Sequence, residues 1–300
     1  MDNLKIIEEI VGGHSGAKMY KARKDDNIYC LKIRNGLADD KYFNKIKEIS
    51  QIYKEIQVNS LEVYDCGNLD KDAKHYILYN YIDGVDFKVY SDENLNDEEL
   101  YNSGRNLGKK FKVLKEYKLP KDTFIDDLDI DEETNLVNYK YAEIIKDKQK
   151  AEMLKKYFGF DKIEQKHEKF NKYKEIFKTI DRGLIHGDIK RTNFMTGKDG
   201  KHYVIDFGGM KNSYDIFSFR YQITWLLFRH RVRERIFVKG YFDELYNNQR
   251  PQDFDKQIEF AVFMNFIGHI YKHSELDNLK DYFENMKIVF DDLENKTNII

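Results

Sequence analysis

The sequence predicts an α+β protein in which a small antiparallel sheet with one helix is followed by a larger, mostly helical part. Three observations indicate this. Within about the first ninety residues, short apolar runs are separated by turn residues, which is typical of strands. The stretch from Lys41 to Ile56 differs, because its apolar residues recur at helical spacing. From about Asn96 onward, helical spacing dominates the chain.

The N-terminal elements are predicted in the order strand, strand, strand, helix, strand, strand. Two apolar runs flank a glycine turn in KIIEEIVGGHSGAKMYKA, and NIYCLKI alternates in polarity after the turn residues Asp26 and Asn27. After the helix come LEVYDCG and HYILYNYI, which end at Asp83 and Gly84. We expect these strands to form one antiparallel sheet, with a domain boundary near residues 82–86.

The C-terminal part is predicted to be helical with two short strands. A helix is expected in DEELYNSGRNLGKKFKVLKEY, and a loop over residues 121–135, where seven carboxylates face a single lysine. A lysine-rich helical region to about Thr179 precedes short strands around GLIHGDI and HYVIDFG. Two long buried helices are then predicted in DIFSFRYQITWLLFRHRV and FDKQIEFAVFMNFIGHIYKHS.

The composition argues against several classes of protein. The 300 residues carry 51 Lys plus Arg and 53 Asp plus Glu, so no global positive field is present to attract nucleic acid. The two cysteines are far apart in the chain and indicate a reducing compartment. No run of 18 apolar residues occurs, and we expect neither a signal peptide nor a membrane span. We expect a cytoplasmic protein with no membrane and no nucleic acid as partner.

Two motifs carry the strongest chemical signal, HGDIKRTNF and VIDFGG. They supply Asp188, Asn193 and Asp206 within twenty residues of chain. A carboxylate and an amide oxygen are ligands that Mg²⁺ accepts, which suits Asp206 and Asn193. Asp188 is placed to accept a hydrogen bond from an incoming hydroxyl and to take its proton. This combination predicts phosphoryl transfer, which depends on orientation and on neutralised phosphate charge.

These paired motifs resemble those of the aminoglycoside phosphotransferase and choline kinase family. The resemblance implies a two-lobed, protein-kinase-like fold that transfers the γ-phosphate of ATP or GTP to a hydroxyl. It assigns the catalytic base to Asp188 and the magnesium ligands to Asn193 and Asp206. It also implies a nucleotide-binding lobe over residues 1–83, and a helical lobe over residues 84–300 with the catalytic and metal-binding loops and the acceptor site.

The N-terminal segment resembles the aminoglycoside 3'-phosphotransferase-like members in particular, because GGHSGAKMYKA precedes a hairpin and YCLKI. The backbone of the glycine-rich turn, at Gly13, Ser15 and Gly16, is expected to cover the phosphates of the donor. The resemblance gives contact with the α- and β-phosphates to Lys32. Lys32 needs an acidic partner, for which Glu48 on the following helix is preferred, with Glu55 as the alternative.

The segment YILYNYIDG occupies the place of the hinge between the lobes. The resemblance implies backbone contacts from Asn80 and Ile82 to the nucleobase, and leaves ATP or GTP open. Lys190 stands where protein serine/threonine kinases carry a lysine near the γ-phosphate. HGD in place of HRD, and the absence of an Ala-Pro-Glu segment after Asp206, favour a small-molecule kinase instead.

The acceptor is expected to be cationic, with aminoglycosides as the first choice. The acidic stretch over residues 122–133 is one candidate to hold it, and Asp243, Glu244 and Glu259 are others. Solvated surface charge is the alternative interpretation of the acidic stretch. Choline, a sugar, another amino-alcohol or a macrolide are alternative acceptors. A non-catalytic nucleotide-binding regulatory protein is the alternative function.

Overall fold

A computed structural model of the chain describes residues 3–11, 16–69, 73–219, 222–273 and 279–296. Packing divides the chain into two units, each assembled from separate segments. Unit 1 comprises Met1–Asn94, Lys118–Asp126 and Arg191–Met210, and unit 2 comprises Leu95–Tyr117, Asp127–Lys190 and Lys211–Ile300. Such units do not define one cut in the chain, so the predicted boundary between residues 83 and 84 stays a prediction.

Unit 1 contains the predicted antiparallel sheet. Its five strands lie in the order β1-β2-β3-β5-β4, with β1 (Lys5–Ile10), β2 (Lys18–Lys24), β3 (Asn27–Asn35), β4 (Val63–Leu69) and β5 (Lys74–Asn80). A second, three-stranded sheet joins β6 (Gly84–Asp86), β8 (Phe194–Gly197) and β9 (His202–Val204). The helices of unit 1 are α1 (Asp40–Glu55) and α2 (Phe87–Asn94). The predicted strand, strand, strand, helix, strand, strand order is therefore confirmed.

Strand β3 is central because it pairs with both β2 and β5. Its side chains alternate between the two faces of the sheet. Leu31 and Ile33 pack into an apolar cluster on one face. Lys32 and Arg34 therefore project from the opposite face. Helix α1 begins at the N-cap Asp39, which accepts a hydrogen bond from the Tyr42 N–H at 2.8 Å.

Unit 2 is mostly helical. Its strands β7 (Gly183–Ile185) and β10 (Lys211–Ser213) form a two-stranded antiparallel sheet. The helices are α3 (Asp97–Glu116), α4 (Ile130–Lys146), α5 (Lys148–Phe158), α6 (Phe160–Phe177), α7 (Gln222–Leu226), α8 (Val232–Leu245), α9 (Phe254–Lys272) and α10 (Lys280–Glu294). No helix among the described residues combines the length and apolar content that a membrane span requires.

The predicted loop over residues 121–135 was wrong at its C-terminal end, because helix α4 begins at Ile130. Asp129 is the N-cap, and its carboxylate accepts hydrogen bonds from the backbone N–H groups of Asp131 and Glu132 at 2.8 and 3.1 Å. Acidic residues in a first turn also interact favourably with the helix dipole. The acidic composition that indicated a loop is here the start of a helix.

The long helix predicted over residues 215–232 was also wrong. Its first part is a 3₁₀-helix, Asp215–Phe219, and α7 is only five residues long. The Ser218 carbonyl accepts a hydrogen bond from the Ile189 N–H at 2.8 Å, which competes with α-helical bonding. Asp215 is buried and accepts hydrogen bonds from Lys115 Nζ (2.6 Å) and Tyr246 Oη (3.1 Å). These long-range contacts outweigh the local helical pattern.

Helices α3 and α8 cross at a contact between backbones that three buried glycines permit. A Cβ atom on Gly104 would lie 2.0 Å from the Phe237 carbonyl oxygen, and one on Gly240 would lie 2.1 Å from the Tyr101 carbonyl oxygen. On Gly108 it would lie 2.5 Å from the Tyr241 oxygen. The neighbouring atoms belong to helical backbone, so they have little freedom to move aside.

We expect Gly104→Ala to destabilise the protein by at least about 2 kcal/mol, because the added methyl group forces the helices apart. For a chain of this size that corresponds to a decrease of at least roughly 3 °C in Tm, measured by circular dichroism. The matched control is Gly268→Ala on α9, where an added Cβ meets nothing within 4 Å. This control is expected to be neutral or to stabilise by up to about 1 kcal/mol. Equal Tm changes in both variants would contradict the crossing as the cause.

Candidate active site

Lys32 and Asp206 form an ion pair in unit 1. Lys32 Nζ lies 3.0 Å from Asp206 Oδ1. The lysine side chain is 11% exposed and the carboxylate is 39% exposed, so the cation is shielded on the sheet while the anion faces solvent. The structure thus brings together two of the predicted site residues that are 174 positions apart in the chain.

Asp206 has a left-handed backbone conformation, with φ 54° and ψ 48°. This conformation costs a non-glycine residue roughly 1–2 kcal/mol, so the surroundings must hold it in place. The following residue, Phe207, is buried against Tyr53 and Tyr79, with ring centroids at 5.5 and 6.3 Å. Burial of Phe207 therefore fixes the turn that directs the Asp206 carboxylate towards Lys32.

Asn193 ends a 3₁₀ turn, Arg191–Asn193, and is 4% exposed. Its backbone oxygen accepts a hydrogen bond from the Ile205 N–H at 2.9 Å, next to Asp206. The following pair in the hairpin is Phe194 with Val204. The β8–β9 hairpin therefore places Asn193 across from Ile205, the residue that precedes Asp206.

The donor chemistry of Asn193 and Asp206 fits Mg²⁺, which prefers hard oxygen ligands. Asp206 already lies beside a cation, the Lys32 ammonium. In the part of the chain that the structure describes, no group of three or more His, Cys, Asp or Glu side chains is arranged to hold a metal ion. An amide and one carboxylate would hold the ion only together with phosphate oxygens or water, as is usual for Mg²⁺ with a nucleotide.

Glu48 contacts the segment after α3 and not its predicted partner, Lys32. Its carboxylate accepts hydrogen bonds from Thr123 Oγ1 at 2.6 Å and from the Phe124 N–H at 2.7 Å. Lys32 and Glu48 form no ion pair in this structure, since Lys32 binds Asp206. The physical reason is that the segment after α3 lies against α1, where Thr123 and Phe124 donate hydrogen bonds to the Glu48 carboxylate. The choice between Glu48 and Glu55 for the donor-bound state stays a prediction.

Several carboxylates of the acidic stretch have partners within the chain. Asp126 binds both Lys41 and Lys45 of α1, at 2.9 and 2.7 Å. Asp127 Oδ1 accepts a hydrogen bond from Asn212 Nδ2 at 2.7 Å, and Asp129 caps α4. These carboxylates, which were predicted to bind a cationic acceptor, therefore already bind groups within the chain.

The other acidic candidates are engaged as well. Asp243 accepts hydrogen bonds from Tyr101 Oη at 3.0 Å and Arg250 Nη2 at 2.8 Å, and Glu244 binds Arg105 at 2.6 Å. Burial raises the pKa of Glu259, which lies beside Lys166 and Lys169 at a narrow cavity of about 20 Å³. That space holds roughly one water molecule and no sugar.

Asp188 and Lys190 both lie in unit 2 and form an ion pair, with Lys190 Nζ 3.0 Å from Asp188 Oδ2. The Asp188 N–H donates to Nδ1 of the fully buried His186 at 3.2 Å. Ile189 is anchored by its hydrogen bond to Ser218. The histidine and the anchored isoleucine fix the backbone on both sides of the Asp188 side chain, and the lysine places a positive charge beside it.

The remaining donor-binding predictions concern the glycine-rich turn and the hinge. Gly13 and Ser15 lie outside the described residues, whereas Gly16 is described with φ +68°, a conformation that suits glycine. Asn80 ends β5, where its N–H donates to the Glu62 carbonyl at 3.1 Å. Ile82 is buried. Their contacts with a nucleotide stay predictions.

Two features of unit 1 escaped the sequence interpretation. Arg34 lies beside the Tyr42 hydroxyl; burial raises the pKa of Tyr42, Arg34 lowers it and Asp206 raises it. Arg34 thus adds a second cation near the Lys32–Asp206 pair. Its position two residues after Lys32 in a strand would have indicated this, because such residues share a face of the sheet. The other feature is the ion pair between the buried Arg191 and Asp92. The two residues are 99 positions apart, so no local sequence pattern indicated this contact.

Comparison with known families decides the class of the protein. A model described as APH, the phosphotransferase enzyme family, matches residues 6–244. The chain belongs to this family. Membership confirms the predicted family and the predicted enzyme class, a phosphotransferase that acts on hydroxyl acceptors, and with them the coarser function of a small-molecule kinase. A search of curated proteins found no match.

Solved structures confirm the protein-kinase-like fold class. Aminoglycoside phosphotransferase APH(4)-Ia is 12% identical with a TM-score of 0.60, covering 97% of this chain and 94% of that one. The GDP and kanamycin complex of APH(2")-IIia is 14% identical with a TM-score of 0.54, covering 98% and 94%. Choline kinase LicA from Streptococcus pneumoniae is 11% identical with a TM-score of 0.57, covering 95% and 94%. At these identities the likeness shows the fold alone.

We expect Glu48→Ala to lower the free energy of unfolding by about 1–3 kcal/mol, because it removes the acceptor of two charge-assisted hydrogen bonds. Urea unfolding of the full chain measures this. Glu55→Ala is the matched control on the same helix, where Glu55 lies exposed and accepts from Gln51. The control is expected to change stability by less than about 0.5 kcal/mol. A larger effect in Glu55→Ala would contradict the anchoring role of Glu48.

Proposed function

We propose that this protein transfers the γ-phosphate of ATP or GTP to a hydroxyl group of an aminoglycoside-type antibiotic. The observation that carries the proposal is the Lys32–Asp206 ion pair, with the Asn193 backbone hydrogen-bonded to Ile205, the residue before Asp206. A cation for phosphate oxygens and two oxygen donors for a metal are the parts that phosphoryl transfer needs on the donor side. Family membership supports the same reaction class.

On the donor side, Lys32 would leave Asp206 and bind phosphate oxygens. Asn193 and Asp206 would hold Mg²⁺, which neutralises phosphate charge when it is bound. Gly13, Ser15 and Gly16 would cover the phosphates, and Glu48, with Glu55 as the alternative, would pair with Lys32 in the donor-bound state. Asn80 and Ile82 would contact the nucleobase. Two structures of this fold, an APH(2") enzyme with GDP and a choline kinase with AMP, support a nucleotide donor.

On the acceptor side, Asp188 would accept a hydrogen bond from the attacking hydroxyl. As the bond from oxygen to the γ-phosphorus forms and the bond to the β-phosphate oxygen breaks, the hydroxyl proton passes to the carboxylate. Lys190, at 3.0 Å from Asp188, keeps a positive charge beside this carboxylate and is available to the γ-phosphate. The product is a phosphate ester, and the nucleoside diphosphate is the leaving group.

An aminoglycoside is favoured as acceptor because a structure of the same fold holds kanamycin. The partners of Asp126, Asp127 and Asp129 within the chain, and the ion pair of Asp131 with Lys174, weaken the case for that stretch. Its other acidic residues are Asp122 and Glu132, which are exposed, and Glu133, which is half-buried. A choline kinase of this fold supports the second candidate, a smaller amino-alcohol. Both acceptors are cationic. Cytoplasmic location and a role in antibiotic resistance stay predictions.

Asp188→Asn is expected to lower kcat by about 10²–10⁴, because the amide cannot take the proton. Nucleotide affinity is expected to stay unchanged, since the base acts on the acceptor. A coupled assay for nucleoside diphosphate and a calorimetric titration measure the two quantities. Asp181→Asn, an exposed aspartate in the same unit, is the control and should behave as wild type. Wild-type turnover in Asp188→Asn would remove Asp188 as the base.

The acceptor is tested by nucleotide turnover with ATP and GTP against aminoglycosides, macrolides, choline and sugars. We expect turnover with at least one aminoglycoside, and an acceptor KM that rises with salt because screening weakens attraction between charges. Turnover with choline alone would transfer the proposal to an amino-alcohol kinase. Nucleotide binding without turnover on any acceptor would favour the non-catalytic regulatory alternative.

A further inference from the structure

Arg191 is a fully charged side chain buried inside unit 1. Its side chain is 3% exposed, although it lies within the motif HGDIKRTNF between two predicted site residues. Its Nη1 donates hydrogen bonds to Ser91 Oγ at 2.8 Å and to Asp92 Oδ1. Burial of a guanidinium is costly unless a counter-ion and hydrogen bonds accompany it. Both conditions are met here by residues of α2.

Helix α2 is itself fixed to the hairpin that carries the metal ligands. Asp86 caps the helix by accepting from the Lys88 N–H at 2.7 Å, and β6 pairs with β8 over Gly84–Asp86. Phe87, at the start of α2, is buried against His202 of β9 with ring centroids at 5.0 Å. The Arg191–Asp92 contact therefore joins the turn before Asn193 to a frame that already holds both strands of the hairpin.

We propose that Arg191 is a positioning residue: its ion pair with Asp92 holds the 191–193 turn against α2 and so fixes Asn193 for the metal. Asn193 is the last residue of this turn, and only one residue separates it from Arg191. A shift of the turn would move the amide oxygen relative to Asp206 while leaving Lys32 in place. This inference rests on the proposed function, in which Asn193 is a magnesium ligand.

The charge of Asp92 is constant over the pH range in which a kinase works. Burial raises the pKa of Asp92, but hydrogen bonds from Arg191 and Lys88 outweigh burial and lower that pKa to about 2. Lys88 shares the carboxylate through its second oxygen at 2.9 Å, and its side chain is 41% exposed. Arg191 and Lys88 thus bind the same carboxylate but differ in burial. A substitution of Lys88 is therefore a matched control for one of Arg191.

The experiment measures how magnesium strengthens nucleotide binding to the full-length chain. ATP and GTP are titrated calorimetrically in EDTA and over a range of Mg²⁺ concentrations, without acceptor. We expect Arg191→Lys and Asp92→Asn to need at least about tenfold more Mg²⁺ for the half-maximal effect, with unchanged affinity in EDTA. Arg191→Lys keeps the charge and loses the planar fork, so it probes position and not charge. Lys88→Ala is expected to match wild type.

Two further comparisons separate positioning from general destabilisation. Thermal unfolding of each variant reports whether the chain is folded at the assay temperature. In the double variant Arg191→Lys/Asn193→Ala, the magnesium dependence should equal that of Asn193→Ala alone, because Arg191 acts through Asn193. Additive losses in the double variant would overturn the proposal, since a merely structural role predicts them.

The outcomes also distinguish this inference from the function on which it rests. Wild-type binding that responds to Mg²⁺, with an equal response in Arg191→Lys and Asp92→Asn, would overturn the role of Arg191 alone. An equal loss in Lys88→Ala would overturn it too, because the exposed cation does not hold the turn. Wild-type binding that ignores Mg²⁺ would overturn the proposed magnesium site, and the role of Arg191 with it.

Discussion

The ion pair between Lys32 and Asp206 connects the central strand of the five-stranded sheet to the turn after β9. Each partner needs stabilisation by its surroundings. Lys32 is largely removed from water, so its charge requires a nearby anion, and Asp206 has a backbone conformation that must be stabilised from outside. Burial of Phe207 beneath α1 and β5 supplies that stabilisation.

The ion pair also has a consequence for donor binding. The Lys32 ammonium lies 3.0 Å from Oδ1 of Asp206, the carboxylate that we propose as a magnesium ligand. On this proposal, binding of a metal–nucleotide complex would exchange one cation for another at the same carboxylate. The Lys32 ammonium can then bind phosphate oxygens in place of Asp206. Each cation therefore keeps an anionic partner when nucleotide and metal bind together. Metal alone would have to displace Lys32 without offering it a new partner.

Local pattern was sufficient for the sheet, helix α1 and the two chemical motifs, because alternation and helical spacing are encoded within ten to twenty residues. It failed where distant residues decide the structure. Glu48 is satisfied by Thr123 and Phe124, 75 or more positions later, and the helix expected at residue 215 is interrupted by the bond from Ile189 to Ser218. The number of charges in the acidic stretch likewise could not show that Asp126 forms ion pairs with two lysines of α1.

The crossing of α3 and α8 affects how mutational screens for catalytic residues of this enzyme are interpreted. At residues 104, 108 and 240 the backbones touch, so any side chain larger than hydrogen displaces a whole helix. A library screened for resistance or turnover will find these glycines as intolerant as the residues that handle phosphate. Their loss reflects fewer folded molecules and not slower chemistry. A screen of this protein must therefore count folded enzyme alongside activity before intolerance is assigned to catalysis.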